Sequence, residues 1–221
     1  MKLFINAVSK FTLGVLLVAL LLFFPAGTLN YPNAWLFIGV LFLPMFVFGI
    51  LLFFLNPALL EKRLSAKEKE GTQKGVIAFS ALMFVGGFVL SALDFRFSLS
   101  SVPTWLTTLS AALFIIGYIM FAEVIRENQY LSRTVEVQKG QTVVSTGLYS
   151  LVRHPMYLAT LLVFLPMPLI LGSFYALIIF AAYPIIIVVR ILNEEKLLTK
   201  ELRGYTEYKK KVKYRLIPFV W

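Results

Sequence analysis

The chain has 221 residues, of which 59% are hydrophobic and only 14% charged, with a mean hydropathy of +0.84 and a formal net charge of +10. That composition excludes an ordinary soluble domain and predicts an integral membrane protein. With no cysteine and a single histidine, disulfides, thiolate metal sites and cysteine nucleophiles are excluded, and no protein-built metal centre is expected. The basic residues lie beside apolar segments and no nucleic-acid module is present. Anionic lipid headgroups at the basic tail are therefore the expected partner of the positive charge, not nucleic acid.

Taken in order, the first apolar segment runs from about Phe11 to Phe24. Pro25-Ala26-Gly27 is a poor cleavage site, so this segment reads as a retained helix and not a signal peptide. Asn30-Tyr31-Pro32-Asn33 marks a turn, and a second span follows from Trp35 to Leu55. Leu60 to Lys74 is a charged loop. A third span covers Val76–Leu93, a short loop Asp94–Pro103, and a fourth span Trp105–Val124, with Trp105 at an interfacial position. The longest polar stretch, Glu123–Arg153, includes VEVQKGQTVV, whose loose alternation around Lys139-Gly140 predicts a small hairpin or extended loop.

Tyr157–Leu171 and Phe174–Leu192 form an apolar pair broken at Gly172-Ser173. The first half would be roughly 22 Å as a helix, short of a roughly 30 Å hydrocarbon core. The pair therefore predicts a short helical hairpin, bent at Pro166, Pro168 and Pro184. From Asn193 the chain turns basic, and the spacing predicts an interfacial helix as far as Arg203, a break at Gly204 and a second short helix. The expected architecture is an all-α membrane protein of about six segments with a basic interfacial C-terminal helix. It divides into a four-span anchor (1–124) and a polar core with hairpin and tail (125–221).

Twenty of the 21 Lys and Arg residues fall on one side of this arrangement, only Arg96 on the other. The positive-inside rule then puts both termini, and the 125–221 core, on the cytoplasmic side.

The polar residues of that core are not scattered. Thr146–Tyr157 (TGLYSLVRHPMY) holds the lone His154 between Tyr149 and Tyr157, and Arg190 and Glu194 lie four apart at the end of the last span, followed by Glu195. Ionisable groups at a membrane boundary are costly unless paired or functional, and an i, i+4 pair shares one helix face. The bland account is that Arg153, His154 and Pro155 begin a helix and Arg190 snorkels. The combination instead suggests a pocket of cations, carboxylates and aromatic faces, suited to a zwitterionic ligand.

The ordered set Gly147, Tyr149, Arg153, His154, Pro155, Tyr157, then Arg190, Glu194, Glu195, then Tyr205, Tyr208, Arg215 and Pro218 resembles the isoprenylcysteine carboxyl methyltransferase family, whose relatives include phospholipid methyltransferases. The resemblance covers about Gln141 to the C-terminus. It implies an enzyme that uses S-adenosylmethionine without a Rossmann fold and methylates a lipophilic or lipidated acceptor at the cytoplasmic membrane face, most simply on a carboxylate. It implies cofactor contacts from Gln141, Val144, Tyr149, His154, Pro155, Met156, Tyr157 and Glu194. Arg190 would meet the acceptor, with Arg190 and Glu194 as the catalytic pair. Some eukaryotic members carry a histidine where this chain has Gln141. Methyl transfer from a sulfonium needs alignment and exclusion of water, worth roughly 7–11 kcal/mol, and an ionised carboxylate needs no general base.

Two other readings stay open in the sequence. One is an NADPH-dependent membrane reductase of the sterol reductase type, against which Glu194-Glu195 argues because carboxylates repel phosphate. The other is a non-enzymatic membrane protein, which predicts charge inside the spans or repeated halves.

Overall fold

The computed structural model describes residues 1–64, 71–131 and 137–221. Helix α1 (Lys2–Ala26) and helix α2 (Pro32–Leu55) are continuous through their apolar runs, as expected where no water can satisfy a broken backbone. Tyr31 caps α2, with Pro32 at its first position, where a missing N–H costs nothing. The expected charged loop Leu60–Lys74 is helical at both ends, since helix α3 (Pro57–Leu64) runs into its start and the next helix begins at Gly71; residues 65–70 lie outside the described residues. Lys10 Nζ donates to the Leu64 carbonyl at 2.7 Å, which sets the start of α1 and the end of α3 at the same end of the bundle.

Helices α4 (Gly71–Phe97) and α5 (Thr104–Glu127) complete the first four spans. Each exceeds its apolar run by several residues, because helical hydrogen bonding carries on into the polar flanks. Asp94 therefore ends up inside α4 and not in a loop, and it is 1% exposed. Its carboxylate accepts from the Ser100 backbone N–H (2.7 Å), the Ser100 hydroxyl (2.6 Å) and the Ser173 hydroxyl (2.5 Å). A buried charge is tolerated when so fully bonded.

The expected hairpin is present but more broken than its prolines suggested. It consists of α6 (Pro155–Phe164), α7 (Met167–Ile170), α8 (Phe174–Phe180) and α9 (Tyr183–Glu201). Pro166 caps α7, and Pro168 and Pro184 lie in the first turns of α7 and α9, so each proline starts a new helix instead of bending an old one. The hairpin tip is tied to the far end of the bundle by Ser173 on Asp94 and by the Tyr31 hydroxyl donating to the Leu171 carbonyl at 2.6 Å. Among the described residues five segments are long and apolar enough to cross a membrane: α1, α2, α4 from Gly75, α5 and Phe174–Glu201, with Pro155–Ile170 as a shorter apolar sixth.

Helix α5 lies closely along α6. A side chain at Gly117 would bring its Cβ within 2.9 Å of Val163 Cγ2 and 3.0 Å of the Val163 backbone nitrogen, so only glycine lets these backbones approach. The shared core is aromatic, with Phe37, Phe114 and Phe180 fully buried, while α1 and α2 leave long apolar faces open to lipid. Beyond α9 one expectation is corrected. No separate interfacial helix begins at Asn193, because α9 continues unbroken from the membrane to Glu201. The chain then turns through Gly204 into α10 (Tyr205–Lys211).

The expected hairpin at VEVQKGQTVV begins outside the described residues at 135–136. Its described part is a turn, with the Gln141 N–H donating to the Gln138 carbonyl at 3.0 Å, leading into an extended loop without strand pairing.

Candidate active site

The site lies at the cation-rich end, where four pieces of chain meet: the end of α5, the 137–152 loop, the α6 start and the α9 exit with the C-terminal segment. The loop reaches the bundle because Glu127, at the end of α5, accepts from the Leu148 N–H at 3.0 Å. Gly147 makes room for that carboxylate. Its φ of +49° and the position of Glu127 Oε1, 1.3 Å from where a Cβ would be, exclude any other residue. Asn128, next in line, donates from its side-chain amide to the Tyr149 hydroxyl at 2.9 Å.

His154 is the residue just before α6, with Pro155 at the first helical position. Its ring faces Tyr157 at 5.8 Å between centroids. Tyr157 then connects the two halves of the motif. Its hydroxyl donates to Glu194 Oε2 and accepts from Arg190 Nε at 3.0 Å. One phenol thus orients the cation and the carboxylate on α9 that the i, i+4 spacing had paired only with each other.

The neighbouring Glu195 points the other way, into protein. It is 4% exposed and gathers three partners: Arg153 Nε and His154 Nε2 on Oε1 at 3.0 and 3.3 Å, and Arg215 Nε on Oε2 at 3.0 Å. The Arg153 contact is charge proximity and not an aligned hydrogen bond. The backbone adds to this link. The N–H groups of Arg153 and His154 donate to the carbonyls of Tyr214 and Arg215 at 2.9 and 2.8 Å, and the Tyr208 hydroxyl donates to the Tyr149 carbonyl at 2.7 Å. The C-terminal segment is therefore bound onto the Arg153-His154-Pro155 turn, and forms one wall of the site.

Together these residues enclose a polar cavity of about 100 Å³. Of the sequence-predicted residues, Gln141, Val144, Tyr149, His154, Met156, Tyr157, Arg190 and Glu194 all line it. Pro155 does not; it is fully buried behind the lining. Asn128, Tyr130, Arg153, Tyr205 and Tyr208 also line the cavity and were not among the expected contacts. The tyrosine spacing in the tail was a usable signal for Tyr205 and Tyr208. Nothing local marks Asn128. Burial pushes the Tyr149, Tyr205 and Tyr208 hydroxyls well above the usual tyrosine range, and the Glu195 and Glu194 carboxylates add to the rise at Tyr205. All three stay neutral donors at physiological pH.

A second cavity adjoins the first. It is an apolar groove of about 470 Å³ between α4, α5, α6 and α9, walled by Phe84, Phe121, Val163, Phe164 and Ile186 among others. Met156, Tyr157 and Arg190 line both cavities. Among the described residues no group of acidic, histidine or cysteine side chains could hold a metal ion.

Residues 110–200 match the model of the isoprenylcysteine carboxyl methyltransferase family. Among curated proteins there is no match. Among solved structures the chain is similar to a eukaryotic intramembrane Ras methyltransferase, an isoprenylcysteine carboxyl methyltransferase. The TM-score is 0.59 at 19% sequence identity, over 97% of this chain and 77% of the other. The stretch that matches the isoprenylcysteine carboxyl methyltransferase family model contains α6, Arg190, Glu194 and Glu195, and so much of the lining of the two adjoining cavities, and the chain shares its overall fold with the solved methyltransferase.

Proposed function

We propose that this chain, whose residues 110–200 match the isoprenylcysteine carboxyl methyltransferase family model, is a membrane methyltransferase that transfers a methyl group from S-adenosylmethionine to a carboxylate on a lipophilic or lipidated acceptor, at the cytoplasmic face of its membrane. The observation that carries the proposal is the sharing of Met156, Tyr157 and Arg190 between a polar cavity and an apolar groove. A hydrophilic donor and a lipid-like acceptor must meet at one point while approaching from different solvents.

The polar cavity suits the donor by its chemistry. The aromatic faces of Tyr149, Tyr205 and Tyr208 suit a purine, and Glu194 suits a cationic centre. The Tyr205 hydroxyl is buried and finds no hydrogen-bond partner among the described residues, an orphan that a bound polar group would satisfy. Gln141, Val144, His154 and Met156 complete the walls, with Pro155 supporting them from behind. Bound there, S-adenosylmethionine would supply an electrophilic methyl group on a sulfonium.

What the chain contributes is positioning. Tyr157 holds Arg190 at the junction, and Arg190 orients an acceptor oxygen. Neither needs to move a proton when the acceptor is a carboxylate. The enclosing helices keep water out of the displacement. Lys209, Lys210 and Lys211 follow the cavity-lining Tyr205 and Tyr208 on α10, and anionic headgroups there would hold the tail at the membrane surface.

The test is calorimetric titration of the purified protein with S-adenosylmethionine, its demethylated product and NADPH, with His154→Ala as control. Binding of the first two, lost in the variant, is expected. Binding of NADPH alone would overturn the reading in favour of a reductase.

A further inference from the structure

The apolar groove ends in a floor of aromatic rings. Its walls run away from the junction with the polar cavity along three helices: from Met156 to Phe164 on α6, from Arg190 back to Tyr183 on α9, and from Val76 to Phe84 on α4. The last lining residue on each path is aromatic, and the three rings meet. Phe164 lies 4.9 Å between centroids from both Phe84 and Tyr183, at interplanar angles of 78° and 81°, and Phe84 lies 6.4 Å from Tyr183. Edge-to-face contacts of this kind fix the rings against one another.

Behind the three stands Phe180, 0% exposed and 5.6 Å from Phe84 between centroids. It occupies the space that a side chain at Gly87 would need, so it is seated against the α4 backbone and has no room to withdraw. Phe88, one turn beyond Phe84, is buried against the same ring at 6.2 Å. The floor is therefore continuous with the close-packed core. Phe84 and the rest of α4 lie outside the stretch that matches the family model.

The length of the groove follows from helix geometry. Met156 to Phe164, like Val76 to Phe84, covers about 12 Å along a helix axis. Carbon–carbon bonds of ~1.52 Å at ~111° advance an extended chain by about 1.25 Å per bond. The distance from junction to floor thus takes about ten chain carbons.

Resting on the function proposed above, we infer that Phe84, Phe164 and Tyr183 are specificity residues that limit the acceptor's apolar chain to about ten carbons in extension. A chain that ends at the rings fills the groove with its head at Arg190. A longer one must press into a packed core, which overpacking penalises, or pull its head back from the junction. Its extra methylenes gain nothing by entering, because lipid is as apolar as the groove. The selection is by shape and not by hydrophobicity.

The test reads binding to the full chain in nanodiscs, with the demethylated nucleoside product present. The probes are pentyl, decyl, tetradecyl and octadecyl thioether carboxylates. Variant and wild type are compared at each length, so partition into lipid cancels. Phe84→Ala opens the groove as far as Phe88, about 6 Å deeper, which is room for about four or five more carbons. It should bind the tetradecyl probe about tenfold tighter than wild type, within the range that relief of overpacking gives, and the octadecyl and pentyl probes no tighter. Ser80→Phe places a ring one turn nearer the junction on the same groove-lining face of α4. It should weaken the decyl probe about tenfold and spare the pentyl probe.

A tetradecyl probe that binds folded Phe84→Ala no better than wild type overturns the inference, as does a decyl probe that binds Ser80→Phe as tightly as wild type; either means that the chain leaves the groove sideways into lipid. A wild type that binds no probe of any length overturns it too. Nucleoside binding in the same samples separates the two readings. If the nucleoside does not bind wild type, the methyltransferase proposal fails and this inference with it. If it binds alike in all three proteins while the length profile is unchanged, only the floor fails. Nucleoside affinity equal to wild type also shows that a variant is folded. Ser80→Phe, which gives up only a hydroxyl bond to the Val76 carbonyl of its own helix, decides the matter if Phe84→Ala does not fold.

Discussion

Replacing Glu195 by Gln removes the charge that holds the C-terminal segment to the Arg153-His154-Pro155 turn. The carboxylate is 4% exposed and Arg153 is 8% exposed, so the pair is effectively buried. Removing one member of such a pair costs about 3–5 kcal/mol, because the remaining charge stays desolvated without its partner. Arg215 has a side chain 31% exposed and can turn to water, and the backbone bonds from Arg153 and His154 to Tyr214 and Arg215 persist. The expected cost is therefore at the low end, about 3 kcal/mol. The melting temperature of the purified protein should drop by several degrees, and limited proteolysis should cut the chain after Gly204 well before the bundle. Arg215→Gln should cost about 1 kcal/mol or less, as a half-exposed partner does. A Glu195→Gln protein that melts like wild type, with an equally protected tail, would refute the reasoning, for it would mean that backbone bonding and the Tyr208 contact alone hold the segment.

Other outcomes follow from the same geometry. Tyr157→Phe deletes both hydrogen bonds that orient Arg190 and Glu194 and should cut turnover by at least tenfold with a near-native melting temperature, since only the hydroxyl is lost; unchanged turnover would remove Tyr157 from the site. Glu194→Ala should weaken S-adenosylmethionine binding more than acceptor binding, and Arg190→Ala the reverse, in titrations and initial-rate kinetics; equal effects on both ligands would argue against the division of roles. Gly117→Leu should destabilise the protein by at least about 1–3 kcal/mol by forcing α5 from α6, and a wild-type melting temperature would show that the helices part freely. The chain has no native cysteine, so single replacements report topology directly: Ser101→Cys should react with an impermeant maleimide on intact cells and Thr206→Cys only after permeabilisation, the opposite pattern reversing the orientation.

Much of the architecture was legible because a membrane segment is a local property. Apolar length set the four long spans and the hairpin, and the order Tyr149, His154, Tyr157, Arg190, Glu194 marked the residues that meet in one cavity. Helix ends were legible only roughly, since hydrogen bonding runs past the apolar run. That is why Asp94, read as a loop residue, lies buried in α4, and why α9 does not stop at Asn193.

By itself, then, the sequence determined the solvent the chain folds in, the places of its long apolar segments and the end of the bundle that carries its charge. These depend on composition over windows of about twenty residues. The tertiary structure decided which charges face one another. Glu194 and Glu195 are adjacent and chemically identical in sequence, yet one lines the cavity and binds Tyr157 while the other is buried against Arg153, His154 and Arg215. Neighbours on a helix differ by about 100° in direction, and only the packing of α6 and the tail against α9 gives each direction its partner.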